Sequence, residues 1–249
     1  MSQLVHSSVT DGIATVTMNR PRKRNALSIE LIEALEQAIE AIDRDDSVRA
    51  LILSGEGKAF CAGMDLQGVM ADADGMRRML RGLSRVLRLI RRLPVPTIAK
   101  VQGAAVGGGC GLMVVTDFAI THPEAKVGYP EVSLGLCPAV VAPWLIRKIG
   151  PGRARAMLLA GGTISGQEGY ERGLATHLAD RDHLEAEVVK LARSLTEAGV
   201  LASRTTKTWL NELDGSLEDA ALDRAADLSA DVIASAEAQA RLRALFGRE

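Results

Sequence analysis

Two glycine-rich turns in the sequence could each present backbone N–H groups to a ligand. The first, residues 55–66, follows the apolar run of residues 48–54, and the second, residues 103–111, follows residues 98–101. A glycine-rich turn that enters a helix leaves its backbone N–H groups unshielded, and two such turns from neighbouring strands can aim two donors at one oxygen. That arrangement would form an oxyanion hole. Three consecutive glycines also permit close packing of a helix on a strand, so one cluster alone is a weak signal.

Glu131 is the candidate acid–base group. It follows Pro130, and the apolar residues Leu134, Leu136 and Val140 come shortly after it. A carboxyl group in an apolar pocket has a raised pKa because burial disfavours its charged form, and such a group can shuttle a proton near neutral pH. The competing interpretation is a solvated glutamate at the end of a strand. Both interpretations stay open on the residues alone.

Several other kinds of site are excluded by spacing. The chain contains no P-loop motif, no H-E-x-x-H zinc motif and no G-x-S-x-G nucleophile turn. Residues 55–60 begin like a dinucleotide-binding fingerprint, but Phe60 stands where the third glycine belongs. Three cysteines without C-x-x-C spacing and four scattered histidines predict neither a disulfide framework nor a metal site. We therefore expect no bound metal.

Seven arginines between residues 77 and 92 form the strongest local charge bias. They alternate with an apolar stripe that includes Met79, Leu83 and Leu87, as is typical of an amphipathic helix. We interpret the arginines as a solvated helix face. A rim that attracts phosphate groups is an alternative, and a nucleic-acid contact is less favoured because no interleaved aromatic side chain offers a stacking platform.

Length and charge narrow the function classes further. The 249 residues include 30 Lys and Arg against 31 Asp and Glu, a formal net charge of −1, so no bulk field attracts nucleic acid. No apolar run approaches the roughly 20 residues that span a bilayer, and the N-terminus lacks the basic and apolar regions of a signal peptide. We expect a cytoplasmic protein with neither a membrane nor a nucleic-acid partner.

The periodicity of the chain predicts strands that alternate with helices. Alternating apolar and polar residues on either side of Asp11-Gly12 indicate a two-residue hairpin. Strands are predicted at residues 4–10, 13–18, 48–54, 95–101 and 118–121. This alternation with helices indicates the α/β class.

Besides the arginine-rich segment, helical patterns are predicted in two further parts of the chain. The first begins at Ser28 and carries an apolar stripe that includes Ile32, Leu35 and Ile39. The second runs from about residue 141 to the end, and within it residues 165–168 have the spacing of a capping box.

Three segments then occur in a recognisable order: residues 19–27 (NRPRKRNAL), 59–66 (AFCAGMDL) and 102–109 (QGAAVGGG). Together with Pro130-Glu131 they resemble the crotonase family of enoyl-CoA hydratases and isomerases, up to about residue 179. The resemblance implies a crotonase-like spiral of ββα units in residues 1–190 and a C-terminal helical trimerisation region in residues 191–249. It also implies a substrate esterified to coenzyme A, so we expect no separate cofactor.

The resemblance also assigns roles to individual positions. The backbone N–H groups of Met64 and Gly108 would bind the carbonyl oxygen of the thioester. The path of the adenine and pantetheine groups is implied at residues of two loops: Arg22, Arg24, Ala26, Ala62, Gly63, Asp65 and Leu66. An arginine of the first loop would reach phosphate, although ordinary loop charge is the competing interpretation. A homotrimer or a dimer of trimers is implied as the assembly.

One position departs from the hydratase pattern. Hydratases of this family typically carry a glutamate where this chain has Gly111, so Glu131 is the one carboxylate left. Hydration of a 2-enoyl thioester usually divides its proton transfers between two carboxylates, although one suffices if water relays the proton. We predict an enoyl-CoA hydratase with Glu131 as acid and base. The alternatives are a 3-to-2 enoyl-CoA isomerase using Glu131 alone and a non-catalytic acyl-CoA- or RNA-binding protein.

Overall fold

The computed structural model describes residues 3–69 and 72–246. Its strands are β1 (Val5–Thr10), β2 (Ile13–Met18), β3 (Ala50–Gly55), β4 (Thr97–Val101), β5 (Ala105–Val106), β6 (Phe118–Thr121), β7 (Lys126–Gly128), β8 (Thr163–Ser165) and β9 (His177–Leu178). Its α-helices are α1 (Ile29–Asp43), α2 (Ala73–Arg92), α3 (Gly108–Val115), α4 (Ala142–Ile149), α5 (Pro151–Ala160), α6 (Gly166–Glu171), α7 (Leu184–Thr196), α8 (Val200–Leu213), α9 (Asp219–Ile233) and α10 (Ala236–Phe246). The alternation of strands and helices confirms the α/β class.

The larger sheet has the strand order β1-β2-β3-β4-β6-β9. Its first two strands form the predicted antiparallel hairpin, and the other neighbours are parallel. Asp11 and Gly12 both have positive φ, as a tight two-residue turn requires. All of β3 is buried because both faces of the sheet are covered: Leu51 and Leu53 belong to the main core, whereas Ile52 packs in a second cluster with Val188 of α7.

The smaller sheet joins β5, β7 and β8, and β5 lies within the second glycine-rich turn. These strands and β9 have only two or three residues, too few for an alternating pattern to register. The prediction of helical structure alone after residue 141 is therefore wrong at β8 and β9, whose geometry depends on pairing with β7 and β6.

The helix starts predicted at Ser28 and at residues 165–168 are confirmed. The Ser28 hydroxyl accepts from Leu31 N at 3.3 Å at the start of α1, and the capping box of Ser165 and Glu168 starts α6.

In the described ranges no helix is long and apolar enough to cross a membrane. The cytoplasmic location stays a prediction.

The arginines of α2 are only in part a solvated face: Arg78, Arg81 and Arg85 are exposed, whereas Arg77, Arg88, Arg91 and Arg92 are half-buried. Helix α9 packs along α2 and pairs its aspartates with them in what we term the Arg–Asp ladder. The ladder comprises Arg77–Asp227 (3.0 Å), Arg77–Asp231 (3.0 Å), Arg81–Asp227 (2.9 Å), Arg88–Asp219 (3.0 Å), Arg88–Asp223 (2.9 Å) and Arg92–Asp219 (2.8 Å). The acidic partners lie far along the chain, so local charge patterning could not reveal them.

The predicted boundary between residues 190 and 191 falls within α7. This helix is continuous, and its buried residues Leu184, Val188 and Ala192 pack on the larger sheet from both sides of that boundary. The division into a core and a C-terminal oligomerisation region stays a prediction.

Candidate active site

A cavity of about 110 Å³ lies where the two glycine-rich turns meet the segment that follows β7. Met64, Gly108 and Glu131 all line it, so the structure brings the three predicted catalytic positions together. Most of the remaining wall is apolar, with side chains that include Leu66, Leu80, Leu83, Val106, Leu134, Leu136, Val140, Val141 and Ile233. Within the described residues no cluster of three or more His, Cys, Asp or Glu side chains is arranged to hold a metal ion.

The first turn directs the N–H group of Met64 by pairing its neighbours. Leu27 N donates to Gly63 O at 2.8 Å, and Asp65 N donates to Leu27 O at 2.9 Å. This is the hydrogen-bond pattern of a parallel bridge between Leu27 and Met64, in which the N–H of Met64 itself points away from Leu27. In the described parts of the chain that N–H has no hydrogen-bond acceptor. It is therefore free to donate to a substrate oxygen.

The second turn supplies another free donor at the start of α3. Gly107 has φ of 55°, and helix α3 begins at Gly108, whose N–H belongs to the first turn and has no acceptor within the helix. A Cβ atom at Gly63 would lie 2.8 Å from Val106 O and 3.9 Å from Gly108 N. Glycine at position 63 therefore allows the two turns to approach closely. This arrangement supports the predicted oxyanion hole of Met64 N and Gly108 N.

Glu131 lies directly against the second turn. A Cβ atom at Gly107 would lie 2.8 Å from Glu131 Oε1, so a side chain at 107 would displace the carboxylate. Glu131 Oε2 is buried and has no hydrogen-bond partner among residues 3–69 and 72–246. Burial raises the pKa of Glu131 from its ordinary value to about 7. The interpretation as a solvated glutamate is therefore wrong, and the group is suited to proton transfer near neutral pH.

The space beside Gly111 is filled. Gly111 lies one turn after Gly108 on α3, and a Cβ atom there would be 2.5 Å from Val141 Cγ1 and 3.7 Å from Leu87 Cδ1. A glutamate at this position would require repacking of Val141. Of the described residues that line the cavity, only Glu131 carries a carboxylate.

Three of the residues predicted along the substrate path line the cavity: Ala62, Gly63 and Leu66. Asp65 does not, because its carboxylate pairs with Arg20 at 2.7 Å. This ion pair ties the first turn to the preceding loop, so Asp65 has a structural contact that the sequence analysis did not anticipate.

The remaining predicted residues lie on the loop before α1, outside the cavity wall. Arg22 and Arg24 are exposed, and the carbonyl group of Ala26 accepts from Arg20 at 3.0 Å. Ala62 N donates to Arg24 O at 3.0 Å, which places this loop beside the first glycine-rich turn. Phosphate binding by Arg22 or Arg24 stays a prediction.

Asn25 is a positioning residue that the sequence analysis missed. Its buried side chain donates to Ala59 O at 2.9 Å and to Phe60 O at 3.2 Å, and its φ is 55°. Asparagine tolerates this left-handed conformation better than most residues. Asn25 thereby holds the segment that leads into Met64, and its place within residues 19–27 was the available signal.

Helix α9 also contributes to the cavity, which the sequence did not predict. Ser229 and Ile233 line the wall, and the Ser229 hydroxyl donates to Cys137 O at 2.9 Å. Both lie more than a hundred residues from either glycine-rich turn, so only the folded chain shows the relation.

The family model described as enoyl-CoA hydratase/isomerase matches residues 8–246. The chain belongs to this family. The 1,2-epoxyphenylacetyl-CoA isomerase of Escherichia coli is 32% identical over 90% of this chain and 87% of its own length. The crotonyl-CoA hydratase of Syntrophomonas wolfei is 36% identical over 80% of this chain and 78% of its own length.

Among solved structures, an enoyl-CoA hydratase/isomerase from Mycobacterium paratuberculosis superposes with a TM-score of 0.89. It is 28% identical, and the match covers 98% of this chain and 99% of the other. The crotonase-like fold predicted from the sequence is thus confirmed. As a member of the enoyl-CoA hydratase/isomerase family, the chain is an enzyme of the hydratase or isomerase type.

Proposed function

We propose that this enzyme moves the double bond of an enoyl-CoA from position 3 to position 2. The observation that carries the proposal is a single carboxylate in an apolar cavity, with Val141 filling the space beside Gly111. Migration of a double bond needs one base that removes a proton and then returns it, so Glu131 alone meets the requirement. The structure thereby favours the reaction that the sequence analysis ranked second.

The proton transfers follow from the positions of the donors. The ionised carboxylate of Glu131 takes a proton from C2, and the electron pair of the broken C–H bond delocalises onto the thioester oxygen. Met64 N and Gly108 N donate to that oxygen and stabilise the enolate-like charge. Protonated Glu131 then returns the proton to C4 while the double bond forms between C2 and C3, and the carboxylate is restored.

Hydration of a 2-enoyl-CoA is the second candidate, and the crotonyl-CoA hydratase relative favours it. A buried water needs two to four polar partners to be held in place. The Ser229 hydroxyl is already engaged with Cys137 O, which leaves Glu131 as the main polar side chain for a reacting water. For this reason we rank hydration below isomerisation.

Separate incubation of the purified enzyme with a 3-enoyl-CoA and a 2-enoyl-CoA tests the proposal. We expect the 3-enoyl thioester to become the 2-enoyl isomer of unchanged mass, detected by absorbance of the conjugated product and by mass spectrometry. Addition of water to the 2-enoyl thioester, with the 3-enoyl thioester untouched, would establish the hydratase instead. Conversion of neither would leave the non-catalytic binding function.

We also propose that the chain forms a homotrimer, alone or paired into a hexamer. An exposed apolar patch on α8 supports this: Trp209, Leu210 and Leu213 lie on one side of the helix and are 56%, 53% and 64% exposed. Apolar patches of this kind commonly mark protein interfaces.

Replacing Leu213 by aspartate should reduce the assembly to a smaller species, because a carboxylate would be buried without a partner at the interface. Light scattering coupled to size-exclusion chromatography measures the mass. Val9→Asp makes a similar change at an exposed site on β1 and should preserve the wild-type mass. A monomeric wild type would contradict the proposal.

A further inference from the structure

We propose that the enzyme is selective for short acyl groups, of about four to five carbons, and that Val141 and Ile233 set this limit. The inference rests on the acyl-CoA function proposed above and adds the substrate class. Val141 and Ile233 both line the cavity, although they lie far apart in the sequence. Neither takes part in proton transfer.

The volume of the cavity limits the number of carbons in the acyl group. Its volume is about 110 Å³, smaller than the engineered apolar cavity of about 150 Å³ that binds the six carbons of benzene. The thioester carbonyl is fixed at Met64 N and Gly108 N, so the rest of the acyl group must fit within this volume. A tail of eight carbons would have to displace the wall.

The wall beside α3 is formed by Val141 and belongs to the packed core. Val141 is 3% exposed, and its Cγ1 fills the space above Gly111. Its carbonyl accepts from Leu145 N at 3.1 Å, which joins it to the first turn of α4. Since close-packed interiors yield little, this wall blocks extension of the acyl chain along α3.

A second wall is formed by Ile233 of α9, a helix that packs against α2. Ile233 is 4% exposed, and α2 supplies Leu80 and Leu83 to the same cavity. The Arg–Asp ladder ties these two helices together along their length. A longer acyl chain could pass between α2 and α9 only if the ladder separated.

Isothermal titration calorimetry with saturated acyl-CoAs tests chain length without depending on turnover. We expect butyryl-CoA to bind at least about tenfold more tightly than octanoyl-CoA, with coenzyme A itself as the reference. Octanoyl-CoA binding as tightly as butyryl-CoA would overturn the inference. If the enzyme does not isomerise, the separate turnover assay shows it. The ratio of the affinities for butyryl-CoA and octanoyl-CoA tests the chain-length inference in either case. Absence of binding by every acyl-CoA would overturn both.

Two variants test whether Val141 and Ile233 limit the length of the acyl group. Val141→Ala and Ile233→Ala should each raise the affinity for octanoyl-CoA relative to butyryl-CoA by about tenfold, because each removes apolar volume from the wall. Val232→Ala is the matched control: this neighbouring residue of α9 is 36% exposed, lies outside the cavity wall and should leave the ratio unchanged. If Ile233→Ala does not fold, Ile233→Val replaces it. An unchanged ratio in folded variants at both positions would overturn the assignment.

Discussion

Replacing Glu131 by glutamine should lower kcat by about 10²–10⁴-fold, the range contributed by a positioned general acid–base group. The amide occupies nearly the same volume as the carboxylate but cannot take up the C2 proton. Binding of acyl-CoA should change little, so calorimetry and steady-state kinetics together separate loss of chemistry from loss of binding. Glu33→Gln, the same substitution at an exposed position of α1, should retain wild-type kcat. A Glu131→Gln enzyme that keeps more than a tenth of the activity would contradict the mechanism.

The pH dependence of wild-type activity should also reflect the titration of Glu131. Burial raises the pKa of Glu131 to about 7, and the reaction starts from the ionised carboxylate. The value of kcat/KM for a 3-enoyl-CoA should therefore rise with pH and level off above about pH 7. Glu131→Gln should flatten this rise, because glutamine does not titrate.

The contribution of Glu131 to the stability of the fold should fall as pH rises, whereas kcat/KM rises. Because the folded-state pKa of Glu131 is raised above the unfolded value, the folded chain binds the proton more tightly between the ordinary glutamate pKa and about 7. The contribution of Glu131 to the free energy of unfolding is then present at low pH and is lost as pH rises through about 7. Thermal melting should show Glu131→Gln gaining stability relative to the wild type at pH 8 but not at pH 4.

The parts of the site that the sequence predicted are those set by local backbone requirements. A turn needs glycine where it must expose its N–H groups or let another turn approach closely. Gly63 and Gly107 are such positions, and the sequence shows both. The hairpin at Asp11-Gly12 and the cap at Ser28 are equally local. Met64 and Gly108 are assigned by the resemblance to the crotonase family, and Glu131 by its place after Pro130 and its apolar neighbours.

The parts that the sequence could not predict depend on contacts between distant segments. The acidic partners of Arg77, Arg81, Arg88 and Arg92 lie on α9, so part of a helix face that looks solvated in the sequence is an interface in the folded chain. Val141 meets Gly111 only when α3 and the segment before α4 pack together. This second contact supports the proposed isomerisation, because a second carboxylate at position 111 would require repacking of Val141.

Replacing Gly108 by proline should lower kcat by about 10²–10³-fold, the usual loss when one oxyanion donor is removed. Proline has no N–H to donate, and the first position of a helix, where Gly108 lies, accepts proline without breaking the helix. The new side chain also adds bulk, since a Cβ atom at this position would lie 3.0 Å from Leu83 Cδ2 and 3.3 Å from Leu27 Cδ1. Bulk and donor loss must therefore be separated.

Gly108→Ala controls for the Cβ atom, because alanine introduces the same Cβ atom but keeps the N–H, whereas proline places its ring carbon Cδ where the N–H hydrogen stood. If the donor matters, the alanine variant should retain most of the kcat that the proline variant loses, while both bind butyryl-CoA and melt at similar temperatures. The remaining donor, Met64 N, would sustain the residual turnover of the proline variant. Equal kcat values for folded alanine and proline variants would show that crowding, rather than the lost N–H, explains the effect, and the oxyanion role of Gly108 would then have to be abandoned.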